Sequence, residues 1–489
     1  MKKTLDICEL SKEELILMVM ELQHQMSVLQ KMIFGSRHER FAPIIPVSEN
    51  QLSLGIEVDK ILEHEVTTTH VPAHDRVQIE KKEKIHPGRN PLPACLPREE
   101  VIIEPTEDVS QCVCIGKEIT EILEVNPATF YVKRIIRPKY ARVHEEGVAI
   151  ASLPNRVIDK GILGTSVLAM LIVDKFVDHL PVYRQHQRFQ RMGVELNYNT
   201  IVDSINKSAD ILIPLYWLHK QKVFESHYLM GDETTMKVLD DEKKGSTHCG
   251  YLWGFRCPEE KLIFFEYHPG RNMEVPATLL KGFTGHLQID GYGAYDQFSS
   301  RKDITVLYCM AHARRHFSEA LDNDKKIGGY ALTEIQKLYE IEREIKEYGT
   351  DEKYAIRQQR AVPILKSLGE WMVEEYTRVT PSSAIGKALA YSIRRWEGLS
   401  RYTTNGKLRI DNNLVENNMR PIALGRKNYL FAGSHESAQR IAMIYSLLGT
   451  CKLHGVNPLE WLTKVFEEIP TRKVNNLQDL LPQNFISNM

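Results

Sequence analysis

Three carboxylates in this chain have the residue type and setting that metal-dependent chemistry requires. Asp232 lies inside the strand-like run "SHYLMGDETTMKVLD", Asp290 closes "GHLQID" ahead of Gly291 and Gly293, and Glu416 sits in "RIDNNLVENNMRP". An aspartate embedded in an apolar strand costs free energy unless it is paired or binds a cation. Two of them on neighbouring strands repel, and a divalent metal resolves that repulsion. A third acid from a later helix would complete a site for two Mg²⁺ (or Mn²⁺) ions, roughly 3.5–4 Å apart. One ion would activate water or a 3′-hydroxyl for in-line attack and the other would stabilise the leaving oxygen, with no covalent protein nucleophile. Each acid also has a purely structural reading. Asp232 can accept a turn hydrogen bond, and Asp290 before a glycine can start a turn. The run Asn413, Leu414, Val415, Glu416 reads as a capping box, stabilising by about 1 kcal/mol. The helix dipole favours Glu416 near a helix start under either reading.

These acids need a sheet to hold them, and the periodicity supplies one from residue 225 onward. Three strand patterns come first ("SHYLMGDETTMKVLD", "GYLWGFRC", "KLIFFEYHPG"). A helix at "NMEVPATLLKGF", a strand at "GHLQID" and the strand-to-helix run "DITVLYCMAHARRHFSEAL" follow. Three meandering strands followed by alternation predict an α/β, ribonuclease-H-like mixed sheet, with the first strand central and the fourth beside it. Asp232 and Asp290 would then project from adjacent strands. The stretch between Asp290 and Glu416 is too long for a loop and carries helical sequence ("LTEIQKLYEIEREIKEY", "ILKSLGEWMVEEY", "AIGKALAYSIRRWEGL"). The catalytic-type domain is therefore divided into 225–320, a helical insertion at 321–405, and 406–440 with the third carboxylate. A C-terminal helical region spans 441–489.

Upstream, Leu15, Leu22 and Leu29 repeat at seven with Val19, Met26 and Ile33 between them. That pattern predicts an N-terminal coiled-coil (zipper) helix within 1–41 and a homo-oligomer. Residues 42–100 are proline-rich and read as a linker, and 101–155 as a small strand-rich module. Residues 156–224 read as helical and helix-turn-helix-like, with Asn199 or Thr200 at the start of the later helix. Arg184, Arg188 and Arg191 on the preceding helix are candidate DNA contacts.

Lys plus Arg number 63 and Asp plus Glu 64, so net charge selects neither an acidic nor a basic partner, and any DNA surface must be local. One such place is 417–452, where Arg420, Arg426, Lys427, Arg440 and Lys452 face Glu436 alone among acids. Arg314 and Arg315, with His312, form another; structural ion pairs are the competing reading for these arginines. "ALGRKNYLFAGS" lacks phosphate-loop spacing and is no nucleotide site. His248, Cys249 and Cys257 read as an incidental grouping. The eight cysteines are scattered, which fits a reduced, cytoplasmic compartment. Neither a signal core nor an apolar run of membrane-spanning length is present.

The chain resembles the large transposase of the insertion-sequence sixty-six family along nearly its whole length. The resemblance rests on "KMIFGSRHERF", "NPLPACLPREEVII", "FVDHLPVYRQHQRFQRMGVELN", "GDETTMKVL", "LQIDGYGAY", "AHARRHF" and "DNNLVENNMRPIALGRKNYLFAGS", with the tail "IYSLLGTCKLHGVNPLEWLTKVFEEI". It implies a DNA transposase cutting and joining strands at terminal inverted repeats, with Asp232, Asp290 and Glu416 as a DDE triad. It also implies two small accessory proteins encoded alongside. The family carries a zinc module with two C-x-x-C pairs. Here Cys112 and Cys114 form "CVC", and the second pair is replaced by "KYARVHEEG" with His144, an incomplete ligand set for which no zinc is expected. A non-catalytic DNA-binding or assembly protein derived from a transposase is the alternative, and a plain nuclease a weaker one.

Overall fold

The computed structural model describes residues 130, 139–141, 148–150, 156–159, 161–239 and 245–485. The zipper, the linker, Cys112, Cys114 and His144 lie outside the described residues. Of the small strand-rich module, β1 (Lys139–Ala141) and β2 (Val148–Ile150) form an antiparallel pair.

Four helices follow: α1 (Thr165–Phe176), α2 (Val182–Arg191), α3 (Tyr198–Ile211) and α4 (Ile213–Phe224). Helix α3 starts earlier than Asn199 or Thr200. Asn197, in extended conformation, is the N-cap, and its side chain accepts the Asn199 N–H at 2.9 Å. An Asn ahead of the first turn satisfies an orphan donor that Asn199 inside the helix cannot.

The sheet contains β3 (Tyr228–Leu239), β4 (Thr247–Cys257), β5 (Leu262–His268), β6 (Gly285–Ile289) and β7 (Ile304–Tyr308), in the order β5-β4-β3-β6-β7. The first three pair antiparallel, and β6 and β7 run parallel to β3. Strand β3 is therefore central with β6 beside it, as the strand order predicted. A short helix α5 (Glu274–Leu279) joins β5 to β6, and a 3₁₀ segment (Gly293–Ser300) precedes β7. The core is aromatic around β4 and β5, where Trp253, Phe255, Phe264 and Phe265 are fully buried.

Both sheet edges are covered. Helix α6 (Met310–Glu319) leads from β7 into α7 (Lys325–Glu344), α8 (Thr350–Ile356), α9 (Val362–Tyr376) and α10 (Ala384–Ser400), which make up the expected insertion. Just after α10, Arg401 donates to the Val306 carbonyl of edge strand β7 at 2.7 Å. Buried Arg357 binds Glu342 at 2.7 and 2.8 Å and donates to the Tyr402 and Asn405 carbonyls, which closes the insertion on itself. The chain returns through α11 (Asn413–Tyr429), α12 (His435–Leu453) and α13 (Pro458–Glu468). Helix α12 lies along edge strand β5, and its Thr450, Ser446 and Gln439 side chains accept the N–H groups of Ile263, Phe265 and Tyr267. An open edge would leave those donors unpaired. Among the described residues, no helix is long and apolar enough to cross a membrane.

Candidate active site

Asp232 stands in the middle of β3, opposite Gly254 of β4. Strands β3 and β6 pair in parallel from Tyr228↔His286 to Met230↔Gln288. Carrying that register two residues further sets Asp232 level with Asp290, the first residue past the end of β6. The Asp232 carboxyl is held well above the usual carboxylate range. Burial is the main cause, and the charges of Glu233, Asp290 and Glu416 add to it. The Asp290 and Glu416 charges thus both reach the Asp232 carboxyl. The counter-force is a single hydrogen bond, from the Glu233 N–H to Asp232 Oδ1 at 2.8 Å.

The Asp290 turn is gripped from two sides. Asp290 Oδ1 accepts the Tyr292 N–H at 2.8 Å, an Asx-type turn that Gly291 permits by adopting φ +95°. On one side Tyr292 donates its hydroxyl to the Arg271 carbonyl at 2.7 Å, while the Arg271 guanidinium stacks 3.8 Å over the Tyr292 ring and pairs with Glu233. On the other side α10 contributes Tyr391, whose hydroxyl donates to the Asp290 carbonyl, and Arg395, which donates to the Gly291 carbonyl at 3.0 Å. Buried Glu233 is also pushed upward, chiefly by desolvation, with Arg271 opposing.

Glu416 arrives on the first turn of α11, and the segment before that helix is sewn to the sheet. Arg409 N–H donates to the Tyr228 hydroxyl at 3.1 Å, Gln288 donates to the Arg409 carbonyl at 2.9 Å, and Met310 N–H donates to the Ile410 carbonyl at 3.0 Å. The capping-box reading is corrected here. The N-cap is Asn412, without a side-chain cap bond, and Asn413 is already helical. Asp411 takes the local role, accepting the Asn413 backbone N–H at 3.2 Å and its side-chain amide at 3.0 Å. The Glu416 carboxylate faces His312 on α6, with Oε1 3.8 Å from Nδ1. Ligand atoms of Cys309, His312 and Glu416 all lie within 4.8 Å of one another.

Family models place this site in context. The model described as "Transposase IS66 family" matches residues 160–440, which include all three acids and the insertion. The chain belongs to the IS66 family of transposases. The "IS66 C-terminal element" matches residues 446–483, and "Transposase C of IS166 homeodomain" matches residues 21–101. Full-length relatives include two uncharacterized proteins of Sinorhizobium fredii (strain NBRC 101917 / NGR234). Protein y4jD is 31% identical over 97% of this chain and 96% of its own length, and y4hP is 30% identical over 95% and 88%.

The basic residues of this transposase divide into two sets. Arg188 pairs with Asp174, and Arg440 with Asp210 at 2.7 Å, so both serve as structural ion pairs. Arg426 donates to the Thr234 hydroxyl at 3.0 Å and the Thr235 hydroxyl at 2.8 Å, tying α11 to the outer half of β3. Arg184, Arg191, Arg420 and Lys427 are exposed, and Arg314 and Arg315 are half-buried on α6. His248 and Cys257 have separate partners: His248 bonds with the Pro269 carbonyl, and the buried Cys257 thiol donates to the Val223 carbonyl.

Sequence reasoning missed Cys309, Glu233, Tyr391 and Arg395 around this site, and placed His312 with the DNA-contacting arginines instead of opposite Glu416. Cys309 and His312 carry a C-x-x-H signal at the turn from β7 into α6, a spacing that sets both beside one helix start. Glu233 is the second acid of "GDET". Tyr391 and Arg395, at i and i+4 on α10, share one helix face, but nothing in the sequence says that this face meets the Asp290 turn.

Proposed function

We propose that this transposase is the catalytic enzyme of its insertion sequence, cleaving and joining DNA at the terminal repeats with Asp232, Asp290 and Glu416 as a DDE triad. The reading takes β3–β7 and the surrounding helices as a ribonuclease-H-like core. What carries it is the parallel β3–β6 register that sets Asp232 level with Asp290, with the charges of Glu233, Asp290 and Glu416 raising the proton affinity of Asp232 beside its burial. Oxygen donors of this kind fit a hard divalent cation. Asp232, Asp290 and Glu416 would hold Mg²⁺ or Mn²⁺, two ions in all. Bound there, the ions supply Lewis acidity toward the attacking and leaving oxygens of the phosphodiester.

The chain's own residues do the rest. The Tyr292 N–H fixes one oxygen of Asp290, and His312 faces Glu416. Arg184, Arg191, Arg314, Arg315, Arg420 and Lys427 supply cations for DNA phosphates, a salt-dependent contribution. Residues 1–41 are assigned to self-association through the zipper, 156–224 to helix-turn-helix-like DNA binding, and the small proteins of the same element to accessory roles. The protein acts in the cytoplasm, on the nucleoid.

The test is strand cleavage and joining on DNA carrying the element's ends, with Mg²⁺ or Mn²⁺, for wild type and Glu416→Gln, with the accessory proteins present. Activity lost in the variant while DNA binding persists is the expected result. Equal activity in both proteins rules Glu416 out as a ligand and turns attention to Asp411. Binding without cleavage by either protein supports the non-catalytic alternative.

A further inference from the structure

The helical insertion separates Asp290 from Glu416 in sequence, yet one of its helices touches the Asp290 turn at two consecutive carbonyls. Tyr391 Oη donates to the Asp290 carbonyl and an Arg395 Nη donates to the Gly291 carbonyl at 3.0 Å. The contact is tight as well as polar. A Cβ built on Gly291 would lie 2.7 Å from Arg395 Nε and 2.8 Å from Tyr391 Oη, so only glycine lets the turn approach α10 this closely. Both side chains are held in turn by their surroundings. The Tyr391 ring lies 4.3 Å from the His316 ring of α6, and the Arg395 guanidinium sits 4.4 Å over Tyr391 and 5.5 Å from Tyr308 of β7. Helix α10 is anchored independently where Gly398 packs against Tyr308 and Arg401 binds Val306.

We propose that Tyr391 and Arg395 are positioning residues for Asp290: the insertion clamps the peptide that carries the second carboxylate and sets where that carboxylate points. The inference rests on the metal-binding reading given above. Neither side chain touches DNA or metal in this role. Asp290 sits just past the end of β6, beyond the last ladder pair, so strand hydrogen bonding does not fix it. Its side chain accepts from Tyr292, and its main chain is held by α10. Loosening the second hold lets the Asx turn swing and moves the carboxylate away from Asp232 and Glu416.

The deciding measurement is Mn²⁺ binding to the full chain by titration calorimetry, without DNA, for wild type, Tyr391→Phe, Arg395→Lys and Asp290→Asn. Thermal unfolding is recorded for each metal-free protein. Phe keeps the ring on His316, and Lys keeps a cation and one donor. The expected result is binding in wild type, loss in Asp290→Asn, and affinity weakened about fivefold in Tyr391→Phe, the worth of one net hydrogen bond. Arg395→Lys should lie between wild type and Tyr391→Phe, with unfolding midpoints lowered by no more than one lost hydrogen bond accounts for and not ranking the variants as the affinities do. Wild-type affinity in both Tyr391→Phe and Arg395→Lys, with Asp290→Asn still defective, overturns the positioning role and leaves the metal site standing. Affinity lost only in step with the unfolding midpoint overturns it in favour of a structural contact. Absence of Mn²⁺ binding in wild type overturns both this inference and the reading beneath it.

Discussion

Gly254→Ala is the change that most directly probes how α11, the helix that carries Glu416, packs on the β3–β4 ladder. Gly254 is the cross-strand partner of Asp232, and α11 lies above it. A Cβ there would stand 2.5 Å from Met419 Cε and 2.7 Å from Phe265 Cε1. Ordinary carbon contacts fall at about 3.5–4.0 Å, so roughly 1 Å of movement is demanded. Phe265 cannot supply it: its ring is buried, its N–H is bound by Ser446 at 2.8 Å, and its carbonyl by Tyr216 at 2.9 Å. Met419 must move, at its flexible thioether end or together with the helix on which it lies one turn after Glu416. Overpacking of this kind costs about 1–3 kcal/mol. A displacement of about 1 Å at a catalytic group costs on the order of 10²-fold in rate. Urea unfolding and strand cleavage should be measured for Gly254→Ala, Met419→Ala and the double variant. Met419→Ala alone costs about 2–5 kcal/mol through its cavity, but it removes the Met419 half of the clash and leaves the Phe265 half, so the double variant should be more stable than additivity predicts by about 1 kcal/mol. Strict additivity, or a Gly254→Ala protein as stable and active as wild type, refutes the idea that this contact sets the helix.

Two further expectations concern the β5 edge. His219 is fully buried, with Nε2 on the Ile263 carbonyl at 2.9 Å, and burial lowers its pKa to about 4. The unfolded chain takes up the proton first, near its ordinary value of about 6.5, so stability is complete above that pH and falls as pH drops toward 4. The loss amounts to about 3 kcal/mol. Urea unfolding across that range should show this slope in wild type and its absence in His219→Gln. Ser446→Ala should strip the Phe265 N–H of its acceptor and lower the free energy of urea unfolding by about 1–3 kcal/mol, the cost of a buried unpaired donor; a stability equal to wild type would contradict the edge assignment.

The sheet was readable because its strands carry long apolar and aromatic runs, and the adjacency of β3 and β6 follows from the strand order, whereas the register that levels Asp232 with Asp290 is seen only in the structure. Glu416 was harder. Its neighbourhood fits a cap as well as a ligand, and only the family resemblance and the packing of α11 decide which partners it faces. Long-range pairings left no local trace. Arg440 looked like a DNA contact because its partner, Asp210, lies in a different region of the chain. The partner of Arg188, Asp174, likewise lies on another helix. The polar residues of α12 at 439, 446 and 450 share one face of an otherwise apolar helix. That pattern signals a covered strand edge only once β5 is known to be the edge.

The late arrival of Glu416 also bears on how the protein is made. Synthesis delivers both aspartates first, then an entire helical insertion, and only afterwards the helix with the third acid. A copy broken off by a stalled ribosome or a frameshift within the insertion carries Asp232 and Asp290 but lacks Glu416. If cutting requires all three, such a fragment is a poor nuclease. The host is then spared damage from unfinished copies, without any dedicated inhibitor.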